Sequence, residues 1–104
     1  MYNDKRQTLY KAIISRILES AGKASNEKRR EAFENSVLNE PLSNLINKVA
    51  LHPTKITDED IEKIIAYGYS EDQIFELIIC AAVGESSRQY EAATNALTEA
   101  VNNK

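Results

Sequence analysis

The chain has few of the residues that most often carry chemistry. Its 104 residues include one cysteine, one histidine and no tryptophan. A lone cysteine, Cys80, excludes an intramolecular disulfide and any Cys-X-X-Cys redox pair within the chain. Long apolar runs are also missing. The longest, Ile78 to Val83, is sized for a core and falls far short of the roughly 18 residues a membrane span needs. No basic-led apolar segment opens the chain, so a soluble cytoplasmic protein is the expectation. Nor is there an excess of positive charge. Thirteen Lys and Arg against sixteen Asp and Glu give a net charge of −3, which offers nucleic acid no general attraction. The one basic cluster, Lys28-Arg-Arg30, sits between Glu27 and Glu31 and reads as a solvated helix face.

What is present is helical periodicity. Hydrophobic residues make up 42% of the chain, enough for one packed core, and no stretch alternates like a strand. The expectation is an all-α, single domain over residues 1–104 with about five helices. The first is expected over Asp4 to Ala21, opened by an Asp4–Gln7 cap and stopped by Gly22. Its rows Leu9, Ile13, Ile17 and Tyr10, Ile14, Leu18, Ala21 predict burial on more than one side.

Ser25 or Asn26 opens a second, polar helix to about Leu38. With only Phe33 and Val37 as anchors, it is expected on the outside or as a connector. Pro41 suits a helix start, and Leu42, Leu45, Ile46, Val49 and Ala50 make one apolar stripe. His52-Pro53 breaks the chain, since the residue before a proline is driven out of the helical region. Thr57 with Asp60 caps a fourth helix, with Ile61, Ile64 and Ile65 as its buried row and Gly68 at its end. Ser70 with Gln73 caps the fifth.

The fifth helix raises one question, because Gly84-Glu-Ser-Ser87 is able to break it. Phe75, Ile79, Val83, Ser86, Tyr90, Ala93, Leu97 and Ala100 nevertheless keep a 4-4-3-4-3-4-3 spacing through that point. One continuous helix is predicted, with Gly84 and Ser86 letting another backbone come close. Some 30 residues give about 45 Å of helix, against about 34 Å for a compact domain of this size. Tyr90, Leu97 and Val101 are then left uncovered, and a homo-oligomer is the expected cover.

The segment from Leu42 to Leu97 resembles the alkylhydroperoxidase D-like family, which includes the carboxymuconolactone decarboxylases. The resemblance rests on Thr57-Asp-Glu-Asp60, on Gly68-Tyr-Ser-Glu-Asp-Gln-Ile-Phe-Glu-Leu77, and on Ala81-Ala-Val-Gly84 with Arg88. It implies a small helical fold and an oligomeric habit, with residues 1–40 as added N-terminal helices. Peroxidases of that family carry Cys-X-X-Cys and a following His. Their positions fall here on Pro53, Ile56 and Asp60, which supply neither a nucleophilic thiolate nor a resolving thiol. Thiol-dependent peroxidase activity is therefore not expected, and enzymatic activity of other kinds is left open.

The candidate residues follow from these readings. His52 is the catalytic candidate, as an acid/base group near the family's active-site entrance. Tyr67, Tyr69 and Tyr90 are candidates to line a ligand pocket or an interface, although aromatic packing with exposed hydroxyls accounts for them too. Arg88 and Glu91 stand three apart, as a helix-surface pair or a pocket or inter-subunit pair. Cys80, on an apolar helix face, reads as an inert packing thiol. No metal site and no cofactor are expected, because Thr57, Glu59, Asp60 and Glu62 meet no matching ligand set elsewhere. A homo-oligomeric ligand-binding or scaffolding protein is the leading reading. A decarboxylase-like enzyme of non-thiol chemistry and a small helical adaptor are the alternatives.

Overall fold

The computed structural model describes residues 4–36 and 38–103, with the side chains of residues 4–7 and of Tyr10 outside the description. The expected Asp4–Gln7 cap and the Val37 anchor lie outside it too. Five helices follow one another: α1 (Asp4–Glu19), α2 (Asn26–Glu34), α3 (Leu42–Leu51), α4 (Asp58–Tyr67) and α5 (Glu71–Asn102), with a 3-10 turn at Pro53–Lys55. Among the described residues there is no strand, so the all-α expectation holds.

Local chemistry accounts for the helix limits. Both capping boxes form: Thr57 accepts from the N–H of Asp60 while Asp60 accepts from Thr57, and Ser70 and Gln73 do the same for α5. Gly68 closes α4 at φ 124°, a backbone region that side chains rarely enter. Helix α2 stops at Glu34, short of Leu38, because Asn35 takes the left-handed conformation at φ 52°. Its N–H then bonds the Ala32 carbonyl, while the N–H of Ser36 bonds that of Glu31. Helix α1 also ends early, at Glu19, without a left-handed glycine at position 22.

The core lies where α3 and α4 meet the first half of α5. Leu42, Leu45, Ile46, Val49 and Ala50 are all buried, as their stripe predicts. Ile64 joins them from α4, while Ile65, expected in the same row, is 42% exposed.

Three expectations about helix faces are corrected. Helix α2 is no connector: it packs along α5 more extensively than any other helix does, with Ala32 fully buried. Helix α1 is not buried on several sides. Leu18 is buried and Ile14 and Ile17 are partly so, but Leu9 and Ile13 face solvent. In α5 the inward face is Ile74, Leu77, Cys80, Ala81, Gly84 and Ser87. Phe75, Tyr90 and Leu97 stand on a second, outward stripe.

Helix α5 is continuous over 32 residues, about 48 Å of helix, and it overhangs the core. The molecule measures 55 × 29 × 20 Å as a result. Helix α1 runs beside part of the overhang.

Candidate functional site

The residues singled out in the sequence do not converge on one site. His52 stands exposed where α3 ends, its N–H donating to the Lys48 carbonyl at 2.7 Å and its own carbonyl accepting from the N–H of Lys55. No described side chain hydrogen-bonds its imidazole. The nearby acids do not pair with it. Asp58 and Glu59 are exposed in the first turn of α4, where carboxylates favour the positive helix end.

Asp60 turns inward and is committed to structure. Its carboxylate accepts from Lys48 Nζ at 2.8 Å, from the Thr57 N–H at 2.9 Å and from Asn44 Nδ2 at 3.3 Å. The Lys48 hydrogen bond, with the Thr57 N–H after it, holds the Asp60 carboxyl down at about 2. The positions that the resemblance aligns with thiols lie ahead of α4: Pro53 opens the 3-10 turn and Ile56 is extended.

Tyr67 and Tyr69 flank Gly68 beside a shallow cleft of about 120 Å³, shared with Lys28, Asn39, Glu40, Pro41 and Leu42. Tyr69 packs on the core, whereas Tyr67 is largely exposed. Tyr90 and Glu91 belong to a different place. With Lys11, Ile14, Ser87, Thr94 and Asn95 they line an open cleft of about 320 Å³ between α1 and the second half of α5. Its floor is Ser87, only 5% exposed.

Arg88 does not pair with Glu91. One guanidinium nitrogen donates to Glu85 Oε1 at 3.1 Å and the other to the Phe33 carbonyl at 2.7 Å. Arg88 thus satisfies a carbonyl in the last turn of α2, where the helix leaves acceptors open.

Sequence reasoning missed the most connected polar cluster. Arg29, read as part of a solvated face, is 4% exposed. It donates to the Ile17 carbonyl at 3.0 Å, to the Ser20 carbonyl at 2.6 Å and to Asn26 Oδ1. A side chain from α2 therefore closes the C-terminal end of α1. Across from it, the two carboxylate oxygens of Glu76 accept from the N–H groups of Lys23 and Ala24 at 2.9 and 2.8 Å. Burial acts to raise the Glu76 pKa, but those N–H groups and the Arg29 and Lys23 charges outweigh it and leave it lowered. The available signal was the spacing of Arg29 to Ala32, which puts the arginine on the small-residue face that meets α5.

Cys80 lines a cleft of about 180 Å³ beside this cluster, with Ile17, Ile79 and Gly22. The thiol is free and 1% exposed, and burial pushes its pKa up to about 11, which leaves it protonated and unreactive at neutral pH. No group of three or more His, Cys, Asp or Glu able to hold a metal occurs among the described residues. No described helix is long and apolar enough to cross a membrane.

Comparison with protein families, curated proteins and solved structures gave no match for the chain. The class that the fold defines is a small all-helical protein with an overhanging C-terminal helix.

Proposed function

We propose that the chain is a homo-oligomeric helical protein with a scaffolding or ligand-binding role. The observation that carries this reading is the uncovered apolar surface on the overhang. Leu9 and Ile13 of α1 are 64% and 49% exposed, and Tyr90, Leu97 and Val101 of α5 are 45%, 49% and 60% exposed. Apolar side chains gathered on a projecting pair of helices are what a subunit interface requires, and contiguous patches of this kind are uncommon on monomers. The ligand-binding half of the reading rests on the cleft of about 320 Å³ between α1 and α5, with Ser87 at its floor and Tyr90 as a wall.

Kinship with the alkylhydroperoxidase D-like proteins belongs to the same proposal, through the Thr57 cap, the Gly68 turn and the Ser70 cap. So does a cytoplasmic setting, which suits a single free cysteine. Disulfide-based peroxide reduction is no part of it. Acid–base catalysis at His52 has little behind it, because the imidazole is exposed and unpartnered among the described side chains.

Light scattering coupled to gel filtration tests the reading. The expected mass at micromolar concentration is at least twice the 11.7 kDa of one chain. The double variant Leu97→Glu, Tyr90→Lys is expected to run as a folded monomer or to become insoluble. A wild-type mass of one chain overturns the proposal.

A further inference from the structure

The outward face of α5 is spaced as a helix-pairing seam. From Ile79 onward the steps alternate four and three residues, through Val83, Ser86, Tyr90, Ala93 and Leu97. This 3.5-residue average is what keeps one stripe of a helix against another helix as the two supercoil. The seam faces solvent over its second half: Ile79 and Val83 are half-buried, Ser86, Ala93 and Leu97 are exposed, and Tyr90, 45% exposed, also borders the cleft against α1. Flanking positions Ala82, Gln89, Ser87 and Thr94 carry no charge, so side-chain size is left to set partner and register.

Size selects one arrangement. In a parallel, in-register pair Tyr90 would meet Tyr90 and Ala93 would meet Ala93, stacking bulk on bulk and leaving a gap beside it. Antiparallel helices related by a two-fold axis at position 88 pair Tyr90 with Ser86 and Val83 with Ala93. The same register sets Ile79 against Leu97, and the exposed Phe75 against the exposed Val101. Large thus faces small in the central layers, as close packing requires.

Helix α1 widens the surface. Ile17 and Ile79 line one cleft, and Ile13 and Leu9 continue the Ile17 row at four-residue spacing on the same side of the α1–α5 pair. A face about 39 Å long on α5, from Phe75 to Val101, and about 12 Å long on α1, from Leu9 to Ile17, at helix widths of about 9–10 Å, covers about 480 Å² in projection. Accessible area exceeds projected area, so the face has the scale of a small interface, below the roughly 800 Å² per partner of a standard one.

We propose that a second copy of this chain docks on this face, with the two α5 helices antiparallel and crossing at position 88. The proposal rests on the homo-oligomer reading and adds its geometry. The axis makes the interface isologous, so each copy gives and receives the same contacts and assembly closes at two. It also places the overhang of each α5 along the core-proximal half of the other, so neither protrudes.

The test combines mass with disulfide trapping in the full chain, Cys80 being buried and serving as the uncrosslinked control. Val83→Cys mixed with Ala93→Cys is expected to yield a covalent dimer under mild oxidation, and Ala93→Cys alone none above wild type. Phe75→Cys mixed with Val101→Cys, at two exposed positions, gives an independent reading if the first pair loses helicity by circular dichroism. A wild-type monomer overturns both the oligomer and its geometry. A wild-type dimer in which Ala93→Cys crosslinks to itself, or in which neither mixture crosslinks, overturns the antiparallel register alone.

Discussion

The carbonyl oxygen of Phe33 occupies the space a side chain at Gly84 would need. A Cβ built on Gly84 would lie 1.9 Å from that oxygen and 2.7 and 2.9 Å from the Phe33 carbonyl carbon and Cα. The colliding atoms are backbone, so no rotamer change relieves the contact. Gly84 is the point at which α2 crosses α5, and the buried Ala32 beside it keeps the approach close.

Gly84→Ala is therefore expected to lower stability by about 3 kcal/mol, the upper range for overpacking a close contact. Urea denaturation followed by circular dichroism measures it. A midpoint unchanged from wild type would mean that α2 does not cross α5 at this position. Glu62→Ala serves as the comparison, since Glu62 is exposed on α4 and its replacement should cost nothing measurable.

Arg29→Ala is expected to cost about 2–4 kcal/mol, because it strips the donors from the Ile17 and Ser20 carbonyls at a buried helix end. Arg29→Lys should recover little of this, since an ammonium has no planar fork to span two carbonyls and Asn26 together. Amide exchange separates this from a general loss. The last turn of α1 should lose protection first, ahead of α3 and α4.

Acid should weaken the fold through Asp60. Its carboxyl is held at about 2 in the folded chain against an ordinary 3.8, so the folded state favours the charged form. The resulting stability is fully present above the ordinary value and is lost as pH falls from about 4 toward 2. Glu76, also lowered from 4.5, acts in the same direction. Thermal melts of wild type and Asp60→Asn across that interval should show a shallower pH dependence in the variant. Parallel curves would remove Asp60 from the account.

Much of the fold was readable because its signals are local. The Thr57 and Ser70 caps, the left-handed Gly68 and the α3 stripe each depend on residues within a turn or two, and each forms. What escaped depends on residues distant in sequence. Arg29 looks like a surface charge until the end of α1, twelve residues before it, is placed against its guanidinium. Helix α5 carries two stripes, and periodicity reveals both without saying which turns inward. The row through Phe75, Tyr90 and Leu97 is the more apolar, yet the inward one includes Gly84 and Ser87, small enough for α2 to lie against. The candidate residues scattered for the same reason. Tyr67 and Tyr69 lie beside Pro41, Tyr90 and Glu91 lie beside α1, and Arg88 reaches across to α2.

The grip of Arg29 and Glu76 on the segment joining α1 to α2 has a mechanical side. Both polar attachments act at one end of α1, and Leu9 lies about 12 Å of helix beyond Ile17. The helix is thus a lever with its fulcrum at residues 20–24, and a turn of ten degrees there sweeps its first residue through about 4 Å.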